Sequence, residues 1–453
     1  MLKDMRSFLN ILEEKGDLVH ITKSVSPRFE VAAGIRKTSD IQGPALIFDK
    51  VIGSSMPVVG GLYAARRRII LGLETSESEI HKKITQGLRN HIQPRMVSDA
   101  PCKEVILTGK DADFGYLPIC THNRKDAGPY ITIGLAFARH PEYGNNVTIS
   151  RIQIFDGKTA GVRSVIPHHL AVYFASAEKQ GKPLELAITI GNDPYVTLCS
   201  QISGSIDLDE LNVAGGWMGE PVDLVKCHTN DVAVPATSEI VLEGELMPGE
   251  RKMEGPFGEF PGYYQGTMDQ AVFSLKAITH RRNPIYLTAL TGRPSTDNHV
   301  LTQVPKEAII YDRLRQICPS IRDVCVTKGG AGMHLVVSIR PTFATQARDV
   351  MLAAFNSAGT RSKLVIVVDD DIDVRNPEQV EWAIATRFQA DQDVVIIPRQ
   401  FAMALDPSAP GLRVGAIMGI DATRPFGKDF AEVADVPESD SFVIPGWTDR
   451  RYI

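Results

Sequence analysis

Met253-Glu254-Gly255-Pro256-Phe257-Gly258-Glu259-Phe260-Pro261-Gly262-Tyr263-Tyr264 sets two carboxylates five residues apart around a Gly-Pro-Phe-Gly turn that runs into a Pro-Gly-Tyr-Tyr bend. Pro256 fixes its own φ and turns Gly255 away from helical angles. Gly255, Gly258 and Gly262 open backbone regions that other residues resist. The segment is expected to be a shaped loop, neither helix nor regular strand, presenting two acids. Loops of unusual backbone often carry function, and two nearby carboxylates tend to separate in pKa, leaving one acid and one base near neutral pH. The plainer alternative is a surface turn with two solvated glutamates.

Outward from this loop, residues 115–305 read as short strands punctuated by Gly, Pro and Asn: Ile131–Ala138, Val147–Ile154, Leu186–Ile190 and Ser238–Gly244, interrupted by a helix over Leu170–Gln180. Their period-two alternation predicts an antiparallel sheet or split barrel whose mouth can hold a planar ligand. Residues 1–114 read as an α/β region, opening on a helix with Met5, Phe8, Leu9 and Leu12 on one face and Gly16 as its stop. The Arg66-Arg67-Arg68 run is expected to be a solvated face. Residues 306–425 alternate strand and helix, beginning with a helix at Lys306, and predict a separate α/β domain. Residues 426–453 are polar and contain proline, an expected arm packed on another domain or subunit. The class is therefore α/β (α+β) with three units.

A chain of 453 residues needs more than one core. With 43% hydrophobic and 23% charged residues it has a globular composition, and a net charge of -5 leaves no basic footprint for nucleic acid. No apolar run reaches membrane-spanning length and no signal peptide opens the chain, so a cytoplasmic protein is expected. The six cysteines stand without CxxC spacing, which argues against a zinc knuckle or a disulfide framework.

Chemistry-bearing residues outside the loop fall in three clusters. Asn145-Asn146 precedes Arg151 by a strand's length, Pro167-His168-His169 precedes a helix, and Gly219-Glu220-Pro221 opens a turn. An amide oxygen, an imidazole and a carboxylate together suit a cation of the Mn²⁺ or Mg²⁺ type, although adjacent histidines before a helix also serve as surface or capping residues. Asp369-Asp370-Asp371-Ile372-Asp373 lacks the spacing of a calcium loop and reads as a strand-end turn capping the next helix. Lys328-Gly329-Gly330-Ala331-Gly332 lacks the glycine order of a dinucleotide fingerprint. Ser150 and Ser164 have no nucleophile elbow.

Asn146 with Arg151, Pro167-His168-His169-Leu170, Gly219-Glu220-Pro221, Val234-Pro235-Ala236-Thr237-Ser238-Glu239, Glu254-Gly255-Pro256-Phe257-Gly258-Glu259 and Leu405-Asp406-Pro407-Ser408 occur in this order. Together they resemble the UbiD family of reversible decarboxylases. The resemblance implies an amino-terminal α/β region, a split-barrel flavin domain and an oligomerisation domain with a carboxy-terminal arm. It implies prenylated FMN, supplied by a separate flavin prenyltransferase, with Mn²⁺ and K⁺, and a homodimer or a hexamer built as a trimer of dimers. Carried over by residue, Asn146, His169 and Glu220 match the metal ligands and Arg151, Glu254 and Glu259 the catalytic network. Ile149, Ser150, Arg151, His168 and His169 would line the cofactor, and Glu259 would be the proton donor.

Thr296-Asp297-Asn298-His299 and Lys306 sit where such enzymes shape the substrate pocket, and the segment is similar to the furan-dicarboxylate branch. Hydroxybenzoate or vanillate is the alternative substrate. A flavin-free metal hydrolase and a non-catalytic assembly subunit are the readings from other classes.

Overall fold

The computed structural model describes all residues except 1, 167, 358–361, 410–412, 435, 439–441 and 443–453. Its centre is a barrel of six antiparallel strands: β1 (Tyr130–His140), β2 (Gly144–Ile154), β3 (Thr159–Val162), β4 (Leu184–Ile190), β5 (Ile240–Glu254) and β6 (Met268–His280). They run in the order β5-β4-β1-β2-β3-β6, and a β5–β6 pairing closes the ring. Closure leaves no free edge and lets the inner positions of every strand pack together. Gly244 lies at a register shift between β5 and β6, where a Cβ would stand 2.2 Å from the Ser274 carbonyl. Only glycine admits that approach.

The amino-terminal strands Leu18–Ile21, Ala45–Phe48 and Val58–Gly60 form a sheet whose fourth member is Tyr286–Thr288, from beyond the barrel. One hydrophobic core runs from Leu2 to Ala308 through both parts, so the amino-terminal region is built on the barrel and has no core of its own. The Arg66-Arg67-Arg68 run is not a solvated face. Arg68 is 1% exposed, bonded to Asp17 and to the carbonyls of Gly43, Gly61 and Leu62, and Arg66 reaches Glu77 and Glu307. A buried guanidinium with every partner supplied is stable where an unpaired one is not.

After the barrel, helix α3 is preceded in the chain by α1 (His169–Lys179) and α2 (Glu210–Met218) and spans Asp297–Ile317, starting nine residues earlier than expected. The Thr296 hydroxyl and His299 ring form a reciprocal cap at its start, and Pro305 is carried inside the helix. The helix leads into a five-stranded sheet of Ile321–Val326, His334–Ile339, Leu364–Asp369, Val414–Ala422 and Val394–Phe401, with separate hydrophobic clusters on its two faces. The Asp369–Asp373 turn does not cap the following helix. Asn376 does so, while Asp369 and Asp371 hold Arg387 at that helix's far end. All six cysteines are unpaired and buried. Among the described residues no helix is long and apolar enough to cross a membrane. Of the expected arm, residues 435, 439–441 and 443–453 lie outside those described.

His122 and His299 are buried, and burial pushes each imidazole down to about 4 from its usual 6.5. A histidine depressed on folding contributes stability above pH 6.5 that is lost as pH falls toward 4, because the unfolded chain takes up protons that the folded chain refuses. Between pH 7 and 5 the pair is expected to remove about 4 kcal/mol of stability, roughly 2 from each ring. Urea unfolding at both pH values checks this: His122→Asn should lose half of that difference, and an unchanged difference contradicts the assignment.

Candidate functional site

The expected loop is partly regular. Met253 and Glu254 end β5, and Phe257-Gly258 pair with Tyr264-Gln265 as a two-residue ribbon, because the long β5–β6 pairing carries through to Glu254↔Met268. Between them Gly255 takes φ +97°, a conformation that favours glycine, and a cis peptide joins it to Pro256. The turn is anchored from behind. Gln153 Oε1 accepts from the Gly255 N–H at 2.8 Å and the Tyr130 hydroxyl at 2.9 Å, and Asp126 Oδ1 accepts from the Gly258 N–H at 2.8 Å.

Arg151, near the end of β2, bridges the two glutamates. Its Nη2 donates to Glu254 Oε2 at 2.7 Å, its Nη1 donates to Glu259 Oε1, and its guanidinium lies 4.9 Å from the centre of the Phe257 ring. Glu254 is fully buried, whereas the Glu259 side chain is 12% exposed and its Oε2 accepts from the Phe260 N–H at 2.9 Å. Arg163 stands behind with Nη1 3.8 Å from Glu254, and burial together with the Arg151 charge holds its guanidinium below the usual range. Burial raises the Tyr130 phenol, with the Glu254 charge adding to it. The structure thus brings together the three residues expected to form the catalytic network.

The expected metal set assembles only in part. Asn146 on β2 and His169 at the first position of α1 face the same carboxylate, and it is Glu210, not Glu220. Asn146 Nδ2 donates to Glu210 Oε1 at 2.9 Å, the Val147 N–H donates to Glu210 Oε2 at 2.9 Å, and His169 Nδ1 lies 4.0 Å from Glu210 Oε1. Glu220 is exposed, past the left-handed Gly219 that ends α2. The chain turns back after Gly219, so the Glu220 carbonyl lies beside Gly215, where a Cβ would stand 3.2 Å from it. Burial pushes the Glu210 carboxyl up to about 8. The sequence signal for Glu210 was an acid following the Asp209 cap and heading a helix with no other charge.

Among the described residues, Asn146 Oδ1, Arg151 Nε and Glu254 Oε1 are buried without a hydrogen-bond partner. Unpaired buried polar atoms are few in folded proteins and point to a ligand that completes them. The Asn146 oxygen, the His169 nitrogen and the Glu210 carboxylate form a donor set that fits a Mn²⁺-type cation, and the polar atoms along β2 fit a phosphate-bearing cofactor held beside it. Ser150 is buried, Ile149 is partly buried, and His168 occupies the exposed N-cap of α1; Pro167 lies outside the described residues. His299 is buried with both ring nitrogens engaged, Nε2 donating to the Phe260 carbonyl at 2.7 Å and Nδ1 accepting from Thr296. Its role here is to cap α3 and stack on Phe260, the ring centroids lying 4.2 Å apart. Lys306, on the same helix, has no partner among the described residues, and burial pushes its ammonium down.

Three family models match the chain: the 3-octaprenyl-4-hydroxybenzoate carboxy-lyase N-terminal domain at residues 9–88, the Rift-related domain at 95–294 and the C-terminal domain at 299–422. The chain is 36% identical to anhydromevalonate phosphate decarboxylase of Methanothermobacter thermautotrophicus, covering 93% of this chain and 97% of that one. It is similar to the structure of the UbiD-class enzyme HmfF from Pelotomaculum thermopropionicum in complex with FMN, with a TM-score of 0.93 and 38% identity over 97% of this chain and 99% of that one. The open form of Sedimentibacter hydroxybenzoicus vanillic acid decarboxylase matches with a TM-score of 0.88 and 32% identity, covering 97% of each chain. With the barrel, the arginine-bridged glutamates and these relatives along nearly its whole length, the chain belongs to the UbiD family of carboxy-lyases.

Proposed function

We propose that this decarboxylase acts reversibly, without net oxidation, on an aromatic or heteroaromatic acid, using prenylated FMN and Mn²⁺, with Arg151, Glu254 and Glu259 as its catalytic residues. The observation that carries this reading is the arginine shared between a fully buried glutamate and a partly exposed one. HmfF has been solved with FMN and, in an evolved dimeric form, with prFMN, which supports the cofactor. Prenylated FMN, when bound, supplies the electron sink that none of the twenty side chains offers. Asn146, His169 and Glu210 would hold the cation that fixes its phosphate, and Ile149, Ser150 and Arg151 would lie along it.

The remaining work belongs to this chain. Arg151 pairs with a carboxylate and is kept in place by Glu254. As the bond to the substrate carboxylate breaks and CO₂ leaves, the electron pair stays with the substrate carbon, and the Glu259 carboxyl delivers a proton to that carbon. Its partial exposure lets Glu259 recover a proton from solvent. In the reverse direction Glu259 takes the proton and CO₂ enters.

A substrate of the furan-dicarboxylate type is favoured, because Lys306 offers charge to a second anionic group while His299 is committed to its helix cap. A relative named for anhydromevalonate phosphate, which carries an anionic group besides the carboxylate, supports the same feature. Vanillate and other phenolic acids are the second reading, supported by the Sedimentibacter relatives. A homo-oligomer is part of the proposal: Ile396, Phe401 and Val414 leave apolar side chains exposed on the carboxy-terminal sheet.

Production with and without a co-expressed flavin prenyltransferase, followed by anaerobic turnover of furan-2,5-dicarboxylate, pyrrole-2-carboxylate, protocatechuate, vanillate and cinnamate, tests this. Prenyltransferase-dependent loss of one acid with release of CO₂ is expected. Equal turnover from both preparations would remove the cofactor from the mechanism.

A further inference from the structure

Gln153 stands two residues beyond Arg151 on β2, on the same face of the strand, and directly opposite Tyr130 on β1. Its Oε1 takes two donors, the Gly255 N–H at 2.8 Å and the Tyr130 hydroxyl at 2.9 Å, one for each lone pair of the amide oxygen. Gly255 is the residue after Glu254. The Tyr130 ring packs on Phe257, the centroids lying 4.4 Å apart, and Phe257 presents its ring to the Arg151 guanidinium at 4.9 Å. Gln153, Tyr130 and Phe257 are all buried. Contacts therefore run in a closed circuit: from Arg151 along β2 to Gln153, across to the acid turn and to Tyr130, and back through Phe257 to Arg151.

The two ends of the turn are held differently. At the Glu254 end the Gly255 N–H is fixed to a neutral amide that belongs to the barrel wall. At the Glu259 end the Gly258 N–H goes to Asp126, in the loop before β1, and both Glu259 oxygens are accepting, one from Arg151 and one from the Phe260 N–H. To deliver a proton, Glu259 has to part from Arg151. The guanidinium then keeps Glu254 at Nη2, Gln265 Oε1 at 3.4 Å from Nη1 and the face of Phe257, while its Nε has no partner among the described residues. Of these, Glu254 is placed by the turn that Gln153 anchors, and Phe257 by that turn and by Tyr130.

We infer that Gln153 is a positioning residue for the reaction: its amide oxygen fixes the Glu254 end of the turn and, through Tyr130 and Phe257, the plane of Arg151, so that Glu259 alone moves. The link to turnover rests on the decarboxylase reading; the brace itself does not. An apolar side chain at this position would leave the Gly255 N–H and the Tyr130 hydroxyl buried without an acceptor, and the turn would relieve that cost by shifting outward. A shift of about 1 Å in a reacting group is enough to slow a reaction roughly 10²-fold.

Two variants test this in the full-length holoenzyme. Gln153→Met keeps the volume of the side chain and removes the acceptor. Tyr130→Phe keeps the ring on Phe257 and removes one donor, leaving Gly255 bonded. Circular dichroism and flavin absorbance check that each variant folds and loads. Without substrate, amide hydrogen exchange in the peptide carrying residues 253–265 is expected to speed up at least about tenfold in Gln153→Met, with exchange in β1 and β4 unchanged. Unchanged exchange in that peptide overturns the brace.

With whichever acid wild type consumes, Gln153→Met is expected to lower kcat about 10²-fold and to leave KM within roughly threefold, and Tyr130→Phe to lower kcat about three- to tenfold. The solvent deuterium isotope effect on kcat should rise in both, because a misplaced Glu259 makes proton delivery the slow step. A raised KM with unchanged kcat, or an isotope effect equal to that of wild type, overturns the positioning role. If Gln153→Met fails to fold, Tyr130→Phe decides by the same two readouts. Faster exchange in the turn of Gln153→Met with no acid consumed by wild type would keep the brace and sink the proposed function. Wild-type turnover with unaltered exchange in Gln153→Met would do the opposite.

Discussion

Glu259→Gln should keep the fold and the bound cofactor and lower kcat by about 10²–10⁴-fold, the usual worth of a positioned general acid. The amide oxygen of glutamine can still accept from Arg151 or from the Phe260 N–H, which use different oxygens of the carboxylate, so the loop keeps one of its two anchors. What it lacks is a transferable proton. Flavin content by absorbance and single-turnover loss of substrate separate the two effects: unchanged flavin with collapsed turnover is the expected pair, and full turnover would remove Glu259 as the donor. Glu254→Gln is a different change, because that carboxylate is buried against Arg151 with one oxygen unpaired. Loss of its charge leaves Arg151 without its buried counter-ion.

Glu210→Gln should empty the metal position, and Glu220→Gln should leave it filled. Glutamine can keep a hydrogen bond with the Asn146 amide but supplies no negative charge to a cation, so the loss in Mn²⁺ affinity should exceed the ~10–100-fold typical of a residue that only supports a ligand. Metal content of the purified proteins, read alongside flavin occupancy, decides between the two glutamates. If Glu220→Gln lost the metal and Glu210→Gln kept it, the pairing of Asn146 and His169 with Glu210 would have no bearing on the cation. His169→Ala should follow Glu210→Gln in losing cofactor.

The two glutamates show where sequence reading stops. Gly219-Glu220-Pro221 is conspicuous as a local pattern, a carboxylate at a turn, and local pattern is what spacing encodes. Glu210 becomes a candidate only when α2 is laid beside β2, which brings residues 64 positions apart to 2.9 Å. His299 was conspicuous as a polar residue near the pocket, yet the same short-range Thr296–His299 relation that starts α3 uses up its ring. In sequence Lys306 is both a helix start after a proline and a candidate for the substrate pocket; its lack of a partner among the described residues emerges only from what surrounds it.

By itself the sequence determined the residues of the arginine-glutamate network, the glycine-dependent turn that presents Glu259, the strand-rich middle and the α/β carboxy-terminal part. Each depends on periodicity, on allowed backbone angles or on motif order, all of which act between near neighbours. Only the tertiary structure decided that six strands close into a barrel, that the amino-terminal sheet borrows Tyr286–Thr288, that Arg68 is buried and that Glu210 faces Asn146 and His169. Those outcomes depend on which distant segments meet, and that choice is made by burial of apolar surface and pairing of buried polar groups across the whole chain.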